Sequence, residues 1–475
     1  MKRRISRKKF AYFNLILFTV VLVVMGNLYF ILPGSKVSVV EKRKLAEMPP
    51  GSLFVNGKID TAFAKIIFSG KYFKDIDDYF ADHFPFRENF VATSFWLKEK
   101  RGFRSEKIGF YKTVAVDAQV PTDVDTTLGK SDSIPLDSAD HGPAETTEGV
   151  VIYDGRAMEI FGGSSAMAKQ YAAVINKYQD ALQGKATIYV IGVPSSIAFF
   201  PPTEYRKMAA SEQANINQIY SYLNPGIKTV NAYDEIAAHR SQYIYFATDH
   251  HWTGLGAYYA YVAYCKTAAI TPIALDAMTH RVKKNYLGSL YYLTRDSRLK
   301  DNPDSVEYWM VPGNHKTLWY GKTLSKGMAG SLYAEHASGG NSYGVFLGGD
   351  NPLMRIDNSD IKNGRKCVIV KNSYGNPFST YFTANYETVF VVDYRYYNGS
   401  LLDLIKDNNI NDVIFINGVF SANTSWHIKM IGKIMNGSGS KNPPPPKTDS
   451  ELKAADSVKK KVKDSLKNKK TKHSP

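Results

Sequence analysis

The first pattern along the chain is a long apolar run. No residue from Phe10 to Leu32 carries a charge, and the nine residues before it hold six basic and no acidic side chains. A run of this length spans a bilayer core as one helix. Because a basic cluster is expected to stay in the cytoplasm, residues 1–9 are predicted to be cytoplasmic, 10–32 a single-pass anchor, and the rest extracytoplasmic. A cleaved signal peptide is the alternative, but no clear small-x-small cleavage site follows before Lys36.

The segments between the anchor and the main domain have a different pattern. Residues 33–114 are predicted to be a helical lead-in, whose amphipathic segment 54–72 runs into KDIDDYFADHFPFRENF. Pro85 and Arg87 mark the end of that helix. Residues 115–148 are rich in Asp, Thr, Ser and Pro and poor in large apolar side chains, so they are predicted to form a mobile linker or loop.

The main domain, 149–436, alternates predicted strands with predicted helices. The strands are Thr187–Val193, Tyr243–Ala247, Cys367–Val370, Thr388–Val392 and Val413–Ile416, and the helices are Ser165–Leu182, Ser211–Leu223, one after Gly254, one after KNSYGN and Leu401–Asp407. This alternation is typical of an α/β domain with a mostly parallel sheet and helices on both faces. Residues 275–365 lack a clear period and are predicted to be an insertion that carries part of a binding surface.

Composition and charge narrow the function classes. The net charge is +16, but residues 1–9 and the Lys-rich tail supply most of it, and the middle of the chain is close to neutral. A nucleic-acid-binding protein is expected to spread basic residues over a folded face, so the charge argues against that function. Residues 437–475 contain four consecutive prolines and are predicted to be a disordered tail. The two cysteines, Cys265 and Cys367, lie in apolar runs and exclude a disulfide framework and a cysteine-based zinc site.

The histidines point to candidate chemistry. The string TDHHWT lies between the predicted strand 243–247 and a helix, where α/β sheets place their sites. In an extended backbone the side chains at i and i+2 point the same way, so Asp249 is placed to orient His251 as a general base. A purely structural Asp-His pair is the open alternative. A metal site of Asp249, His250 and His251 is disfavoured because adjacent side chains on a strand diverge and no further ligand motif supports it.

A general base needs a nucleophile, and Ser373 in VIVKNSYGN is the best candidate. It follows a predicted strand, where free N–H groups at the start of a helix can stabilise an oxyanion. Gly375 would allow a close approach of the substrate. Ser195 and Ser196 are the runners-up, and an ordinary turn or N-cap role for Ser373 stays open. Trp252 is either a core residue or part of a substrate platform.

The strings DYFADHFPFRENF, TDHHWT and VIVKNSYGNPF together resemble the DHHW protein family of bacterial surface proteins, over roughly residues 38–430. That family is similar to the SGNH-hydrolase-like acetyltransferases that include the alginate O-acetyltransferases. The resemblance implies a flavodoxin-like SGNH fold and a triad of Asp249 as orienter, His251 as base and Ser373 as nucleophile. It also implies, by analogy with an SGNH asparagine, Asn417 at the end of VIFIN as an oxyanion-hole candidate.

The function implied is a membrane-anchored acetyltransferase or esterase that acts on a cell-surface polysaccharide through an acyl-Ser373 intermediate, with no metal or dissociable cofactor. A transferase of this kind implies a multi-pass membrane acyltransferase as partner. The aromatic residues of two segments are candidates for stacking on sugars: Tyr291, Tyr292, Tyr308, Trp309, Trp319, Tyr320, Tyr394, Tyr396 and Tyr397. The alternative function is a non-catalytic surface protein that binds a glycan or a membrane partner and uses the DHHW turn structurally.

Overall fold

The computed structural model describes the main domain almost continuously. The described residues are 7–31, 37–38, 43–49, 54–55, 58–59, 66–87, 89–90, 93–94, 97, 108–111, 147–200, 209–324, 326–437 and 441–443. The predicted linker 115–148 therefore lies outside the described residues apart from its last two, and so does most of the predicted tail 437–475.

The predicted anchor forms helix α1 (Arg7–Ile31). Within the described residues it is the one helix that is long and apolar enough to cross a membrane, over Ala11–Tyr29, and none of that stretch is buried in the protein. Its side chains are exposed, as Phe18 illustrates at 62%. An N-terminal signal sequence shares these properties, so the helix is a candidate span by length and composition.

The described parts of the lead-in contain strands as well as a helix. Helix α2 (Lys71–Asp82) begins after Gly70 and ends before Pro85, because proline disfavours helical backbone at the residue that precedes it. Residues that the sequence pattern places in an amphipathic helix instead form a two-residue ladder, Phe54–Val55 with Lys58–Ile59. A similar ladder joins Val37–Ser38 and Arg43–Lys44.

A three-stranded antiparallel sheet begins the main domain. Its strands are β1 (Ile108–Tyr111), β2 (Thr147–Tyr153) and β3 (Arg156–Phe161), in the order β1-β2-β3. The turn between β2 and β3 is Asp154-Gly155, and both residues have positive φ angles, 49° and 71°. Asp-Gly is the pair that favours this two-residue hairpin turn.

A larger sheet forms the centre of the domain. The further strands are β4 (Thr187–Val193), β5 (Lys228–Thr229), β6 (Thr279–Tyr286), β7 (Asp304–Met310), β8 (His315–Tyr320), β9 (Met328–Ala329), β10 (Leu353–Asn358), β11 (Lys366–Lys371), β12 (Thr388–Asp393) and β13 (Asp412–Gly418). Within the described residues, the central sheet has the order β9-β8-β10-β12-β11-β13-β4-β5. Strands β12, β11, β13, β4 and β5 are parallel, whereas β10 is antiparallel to β12 and β8.

Helices cover both faces of the central sheet. The helices of the main domain are α3 (Ser165–Leu182), α4 (Glu212–Ser221), α5 (Ala232–Ala238), α6 (Gly254–Ala268), α7 (Ser289–Thr294), α8 (Ser297–Lys300), α9 (Gly375–Tyr381), α10 (Leu401–Asn408), α11 (Val419–Ala422) and α12 (Ser425–Lys433). Of these, α7 and α8 pack against the three-stranded sheet. On β13, Ile414 and Ile416 pack in the core with α6 and α9, whereas Val413 and Phe415 pack in the core with α3, α10 and α12. The predicted mostly parallel α/β fold is confirmed.

One predicted strand of the main domain differs from the structure, and the stretch without a clear period proves to contain strands. Tyr243–Ala247 is not a strand of the sheet: it is a buried loop with one isolated bridge, between Tyr245 and Trp252. A short apolar run indicates burial without distinguishing strand from loop. The stretch 275–365, predicted to be an insertion, contains strands β8 and β10 of the central sheet and the antiparallel pair β6 and β7.

Candidate active site

The TDHHWT string forms a tight loop that leads directly into α6. The loop folds back on itself, since the N–H of Phe246 donates to the carbonyl of His251 and the N–H of Thr253 donates to that of Ile244. Thr253 then caps α6 with its hydroxyl, which accepts from the N–H of Gly256. A Cβ on Gly256 would lie 2.2 Å from the carbonyl oxygen of Ile244. Glycine is therefore required for the loop to close on the helix.

The structure brings Asp249, His251 and Ser373 together. Asp249 Oδ1 lies 2.6 Å from His251 Nδ1 and accepts a second hydrogen bond from the N–H of His251. On the other side of the ring, Nε2 lies 2.7 Å from Ser373 Oγ. With the ring proton on Nδ1, the imidazole donates to Asp249 and accepts from the serine hydroxyl. Each of the three residues is only 3% exposed. The Asp-His contact arises from the turn of the loop, not from the extended strand that the sequence predicts.

The second carboxylate oxygen of Asp249 is held by the segment around α7. Oδ2 accepts from the hydroxyl of Tyr286 at 2.9 Å and from the N–H of Ser289 at 2.7 Å. A Cβ on Gly288 would lie 2.2 Å from Asp249 Cβ. The backbone can therefore pass this close to Asp249 only because residue 288 is glycine. Burial opposes ionisation, but the adjacent imidazoles of His251 and His250, together with the hydrogen bonds from the His251 ring and the Ser289 N–H, hold the pKa of Asp249 well below its ordinary value. The carboxylate is therefore ionised at neutral pH.

Aromatic rings fix the imidazole of His251. The ring of Tyr343 stacks on it with centroids 4.3 Å apart and an angle of 15°, and the Tyr343 hydroxyl donates to the carbonyl of Ser373. The ring of His250 lies 3.8 Å from that of His251. His250 Nδ1 is 2.6 Å from the hydroxyl of Ser289. Sequence reasoning missed Tyr286, Ser289 and Tyr343, because these contacts are long-range and the stretch that carries them has no clear period.

The serine turn rests on a buried cluster of charges. Lys371 Nζ, two residues before Ser373, is 2.7 Å from Asp350 and 2.8 Å from Asp393. Arg395 pairs with the same two carboxylates, at 2.5 and 2.7 Å. Asp350 Oδ1 also accepts from the side-chain amide of Asn376, three residues after the serine. One carboxylate thus holds both flanks of the serine turn.

Comparisons with known proteins identify the family of this chain. Residues 129–392 match the family described as DHHW protein. The chain belongs to this family. The four residues that spell the family name are Asp249, His250, His251 and Trp252.

Solved structures that align with this chain include another member of the family. A DHHW family protein from Eubacterium siraeum is 30% identical, with a TM-score of 0.56, and the match covers 62% of this chain and 96% of that one. PatB1 from Bacillus cereus is 20% identical, with a TM-score of 0.51, covering 58% of this chain and 98% of that one. The O-acetyltransferase domain of Pseudomonas putida AlgJ is 14% identical with a TM-score of 0.36, covering 59% and 96%. No curated protein matches this chain. The SGNH-like α/β fold that the sequence resemblance implies is confirmed.

In this DHHW protein the N–H groups that follow the serine are already engaged. The N–H of Tyr374 donates to the side-chain oxygen of Asn372, that of Gly375 to the carbonyl of Asn372, and that of Asn376 to the carbonyl of Ser373. Within the described part of the chain, the N–H of Ser373 itself donates no backbone hydrogen bond. Unlike the three N–H groups that follow, it has no protein acceptor to give up.

The remaining sequence candidates have other partners. The side chain of Asn417 shares a strand face with Phe415 and donates to the hydroxyl of Tyr171 on α3 at 2.8 Å, so the structure does not join it to the triad. Gly375 packs against Lys371, from whose Cβ a Cβ would lie only 2.4 Å away. Trp252 is fully buried and donates to the carbonyl of Tyr374, which makes it a support of the serine turn and not a substrate platform.

Ser195, the alternative nucleophile, is bonded to a carboxylate and not to a histidine. Its N–H and its hydroxyl each donate to buried Glu212 at 2.6 Å. Burial raises the pKa of Glu212 to about 7, against the opposing effect of these two hydrogen bonds. No imidazole is among the partners of Ser195 in the described residues, so it lacks the geometry of an activated serine.

The DHHW loop also holds three residues with metal-ligand atoms. The ligand atoms of Asp249, His250 and His251 lie within 4.8 Å of one another. Both nitrogens of His251 are engaged, by Asp249 and Ser373, and His250 Nδ1 faces Ser289. A metal ion bound here would therefore have to displace these hydrogen bonds.

Proposed function

We propose that this DHHW protein is an SGNH-like acyltransferase or esterase that acts on a cell-surface saccharide through a Ser-His-Asp triad. The observation that carries the proposal is the continuous hydrogen-bonded chain from Asp249 through His251 to Ser373. A serine hydroxyl bonded to an imidazole, which is itself oriented by a carboxylate, is the arrangement of an activated nucleophile.

In the first half-reaction, Ser373 Oγ attacks the carbonyl carbon of an acyl donor while its proton passes to Nε2 of His251. The imidazolium that forms is stabilised by the carboxylate of Asp249 and by the stacked face of Tyr343. The oxyanion of the tetrahedral intermediate accepts a hydrogen bond from the N–H of Ser373. Collapse of the intermediate releases the leaving group, which takes the proton from Nε2, and leaves an acyl ester on Ser373.

In the second half-reaction an acceptor hydroxyl attacks the acyl ester, and His251 takes the hydroxyl's proton. A sugar hydroxyl as acceptor makes the protein a transferase, and water makes it an esterase. Collapse returns the proton from His251 to Ser373 and releases the acylated sugar or the free acid. None of these steps uses a metal or a dissociable cofactor.

The proposed location is the outer face of the membrane. Helix α1 supports it as an apolar helix at the N-terminus, and the basic residues that precede it favour cytoplasmic retention of that end. An acetyl donor made in the cytoplasm then has to cross the membrane, so the proposal includes a multi-pass membrane acyltransferase as partner.

The test is turnover of an acetyl ester by the full chain and its variants. We expect Ser373→Ala and His251→Ala to reduce release of p-nitrophenol from p-nitrophenyl acetate to the background rate. Ser195→Ala serves as the matched control and is expected to retain activity. Turnover that survives Ser373→Ala would overturn the triad assignment, whereas an absence of turnover by the native chain would favour the non-catalytic glycan-binding alternative.

A further inference from the structure

Exposed phenylalanines are concentrated in the lead-in between the anchor and the main domain. Among the described residues of the main domain, 149–436, no phenylalanine is exposed. Among those of 66–90, six phenylalanines are at least 46% exposed: Phe68, Phe73, Phe80, Phe84, Phe86 and Phe90. A soluble protein rarely leaves so many large apolar side chains in contact with water. This group, which we call the phenylalanine patch, therefore marks a surface that meets another apolar phase.

Helix α2 separates its apolar side chains from its charged ones. Phe73 and Phe80 are seven residues apart, which is close to two helical turns, so they project from the same side of the helix. Lys74 and Asp78 lie on another side, where their exposed side chains pair at 3.7 Å. This separation is the amphipathic pattern of a helix that lies in the boundary between water and lipid.

A third side of α2 makes the contacts with the rest of the protein. Tyr72, Ile76 and Tyr79 are half-buried on that side. At the end of the helix, buried Asp82 accepts a hydrogen bond from the N–H of Ala46 at 2.8 Å. These contacts hold α2 in one orientation and leave its two phenylalanines directed outward.

Helix α2 touches the end of the candidate membrane span. That span is Ala11–Tyr29. The hydroxyl of Tyr29 lies 2.9 Å from that of Tyr79, and the rings of Tyr29 and Phe80 have centroids 5.7 Å apart. A tyrosine at the end of a span lies at the level of the lipid headgroups. Because α2 contacts this tyrosine, the helix lies at the same level, where its phenylalanines can reach the acyl chains.

We propose that α2 is an interfacial helix whose phenylalanine patch inserts into the outer leaflet of the membrane beside the end of α1. Helix α2 contains two lysines and four aspartates, so attraction to anionic lipids does not supply the binding. Burial of the aromatic rings supplies it, and the lipid surface can therefore carry headgroups of any charge. The inference rests on the proposed location of α1 in the membrane and not on the proposed acyl transfer.

The test is electron paramagnetic resonance on the full chain in phosphatidylcholine vesicles, with a nitroxide spin label on one introduced cysteine at a time. The two native cysteines are buried, so the label attaches to the introduced one. The labelled variants are Phe73→Cys and Phe84→Cys in the patch, Asp78→Cys on the charged side of α2, and Val21→Cys in α1. Collisions of the label with oxygen, which concentrates in the bilayer, and with a water-soluble nickel chelate give the depth of each position.

We expect the labels at Phe73 and Phe84 to lie about 5–10 Å deep in the boundary between headgroups and acyl chains, and the label at Asp78 to lie in water. Addition of anionic phosphatidylglycerol to the vesicles is expected to leave these depths unchanged. Phe80→Ser is expected to shift the label at Phe73 toward water. The matched control Tyr222→Ser, at an exposed aromatic residue of the main domain, is expected to leave that label in place.

Two results would overturn the inference while α1 stays in the bilayer. Labels at Phe73 and Phe84 that meet the chelate as readily as the label at Asp78 would show that the patch faces water. Labels that are shielded from both oxygen and chelate would show that the patch packs on protein. If the label at Val21 also meets the chelate, α1 does not span the membrane, and the proposed location fails together with the inference. Hydrolysis of p-nitrophenyl acetate is measured separately, so none of these results bears on the proposed acyl chemistry.

Discussion

Nε2 of His251 lies 2.7 Å from Oγ of Ser373, although the two residues are 122 positions apart in the sequence. The histidine comes from a loop that leads into α6, and the serine from the turn between β11 and α9. Their contact is fixed on both sides, since Tyr343 stacks on the imidazole and donates to the carbonyl of Ser373. The contact between His251 and Ser373 is therefore held in place by the fold. Such preorganisation is what proton transfer from the serine to the histidine requires.

Replacing Asp249 by Asn is expected to lower kcat by about three to four orders of magnitude. The Asn side-chain amide can donate where the carboxylate accepts, so it favours the imidazole tautomer with its proton on Nε2, which cannot act as a base toward Ser373. Steady-state hydrolysis of an acetyl ester measures the effect. Asp276→Asn, at an exposed aspartate, is the matched control. A loss of less than tenfold would contradict the orienting role.

Gly288→Ala is expected to impair catalysis, because the new Cβ would lie 2.2 Å from Asp249 Cβ and displace the carboxylate. The matched control is Gly321→Ala, where nothing lies within 4 Å of the added atom. We expect kcat to fall at least about tenfold for Gly288→Ala, the equivalent of 1.4 kcal/mol, and to be unchanged for Gly321→Ala. Equal activity of the two variants would show that the close approach has no bearing on the triad.

Asp350→Asn is expected to destabilise the fold by about 3 to 5 kcal/mol, the cost of breaking a buried charge pair. The substitution leaves Lys371 and Arg395, each almost fully buried, with Asp393 as the remaining carboxylate of the cluster. Denaturant unfolding measures the loss. Asp357→Asn removes a more exposed ion pair with Arg355 and is expected to cost less than about 1 kcal/mol. A similar loss of unfolding free energy in both variants would show that the buried charge cluster contributes no more to stability than a surface ion pair.

Glu212→Gln is expected to stabilise the protein above pH 7 and to have little effect near pH 4. Because burial raises the pKa of Glu212 from 4.5 to about 7 in the folded protein, its protonated form favours folding, and that contribution is lost as the pH rises through this window. At pH 8 we expect the free energy of unfolding of the variant to exceed that of the native protein by on the order of 3 kcal/mol. Thermal unfolding across pH 4 to 8 measures it, with Glu235→Gln, at a surface ion pair with Lys266, as control. A difference between variant and native protein that does not change with pH would contradict the raised pKa.

Much of the parallel core was predictable from the sequence. Helix Ser165–Leu182 and strand Thr187–Val193 have the predicted bounds, and the strands at 366–371, 388–393 and 412–418 are one to three residues longer than predicted. These elements have continuous apolar runs or a clear helical period, and Ser164 supplies a capping hydroxyl at the start of α3. In these elements the local sequence pattern agrees with the burial in the folded domain, so the sequence alone is sufficient to predict them.

The rest of the site depends on contacts that no local pattern records. The sequence placed Asp249 and His251 side by side on a strand, whereas a loop turns the carboxylate back onto the ring. Tyr343 and Ser289 come from a stretch without periodicity and reach the loop through tertiary packing. The family resemblance implies Asn417 as an oxyanion-hole candidate, but strand alternation directs its side chain to Tyr171 on the other face.

The most direct test of the central claim is trapping of the acyl-enzyme. The full chain is mixed with p-nitrophenyl acetate, quenched in acid and analysed by intact mass spectrometry and peptide mapping, with Ser195→Ala and Ser373→Ala as the comparison variants. We predict one acetyl group on the peptide that contains Ser373, present in Ser195→Ala and absent from Ser373→Ala. An acetyl group that maps to another residue, or a protein that turns over the ester without becoming acetylated, would contradict it.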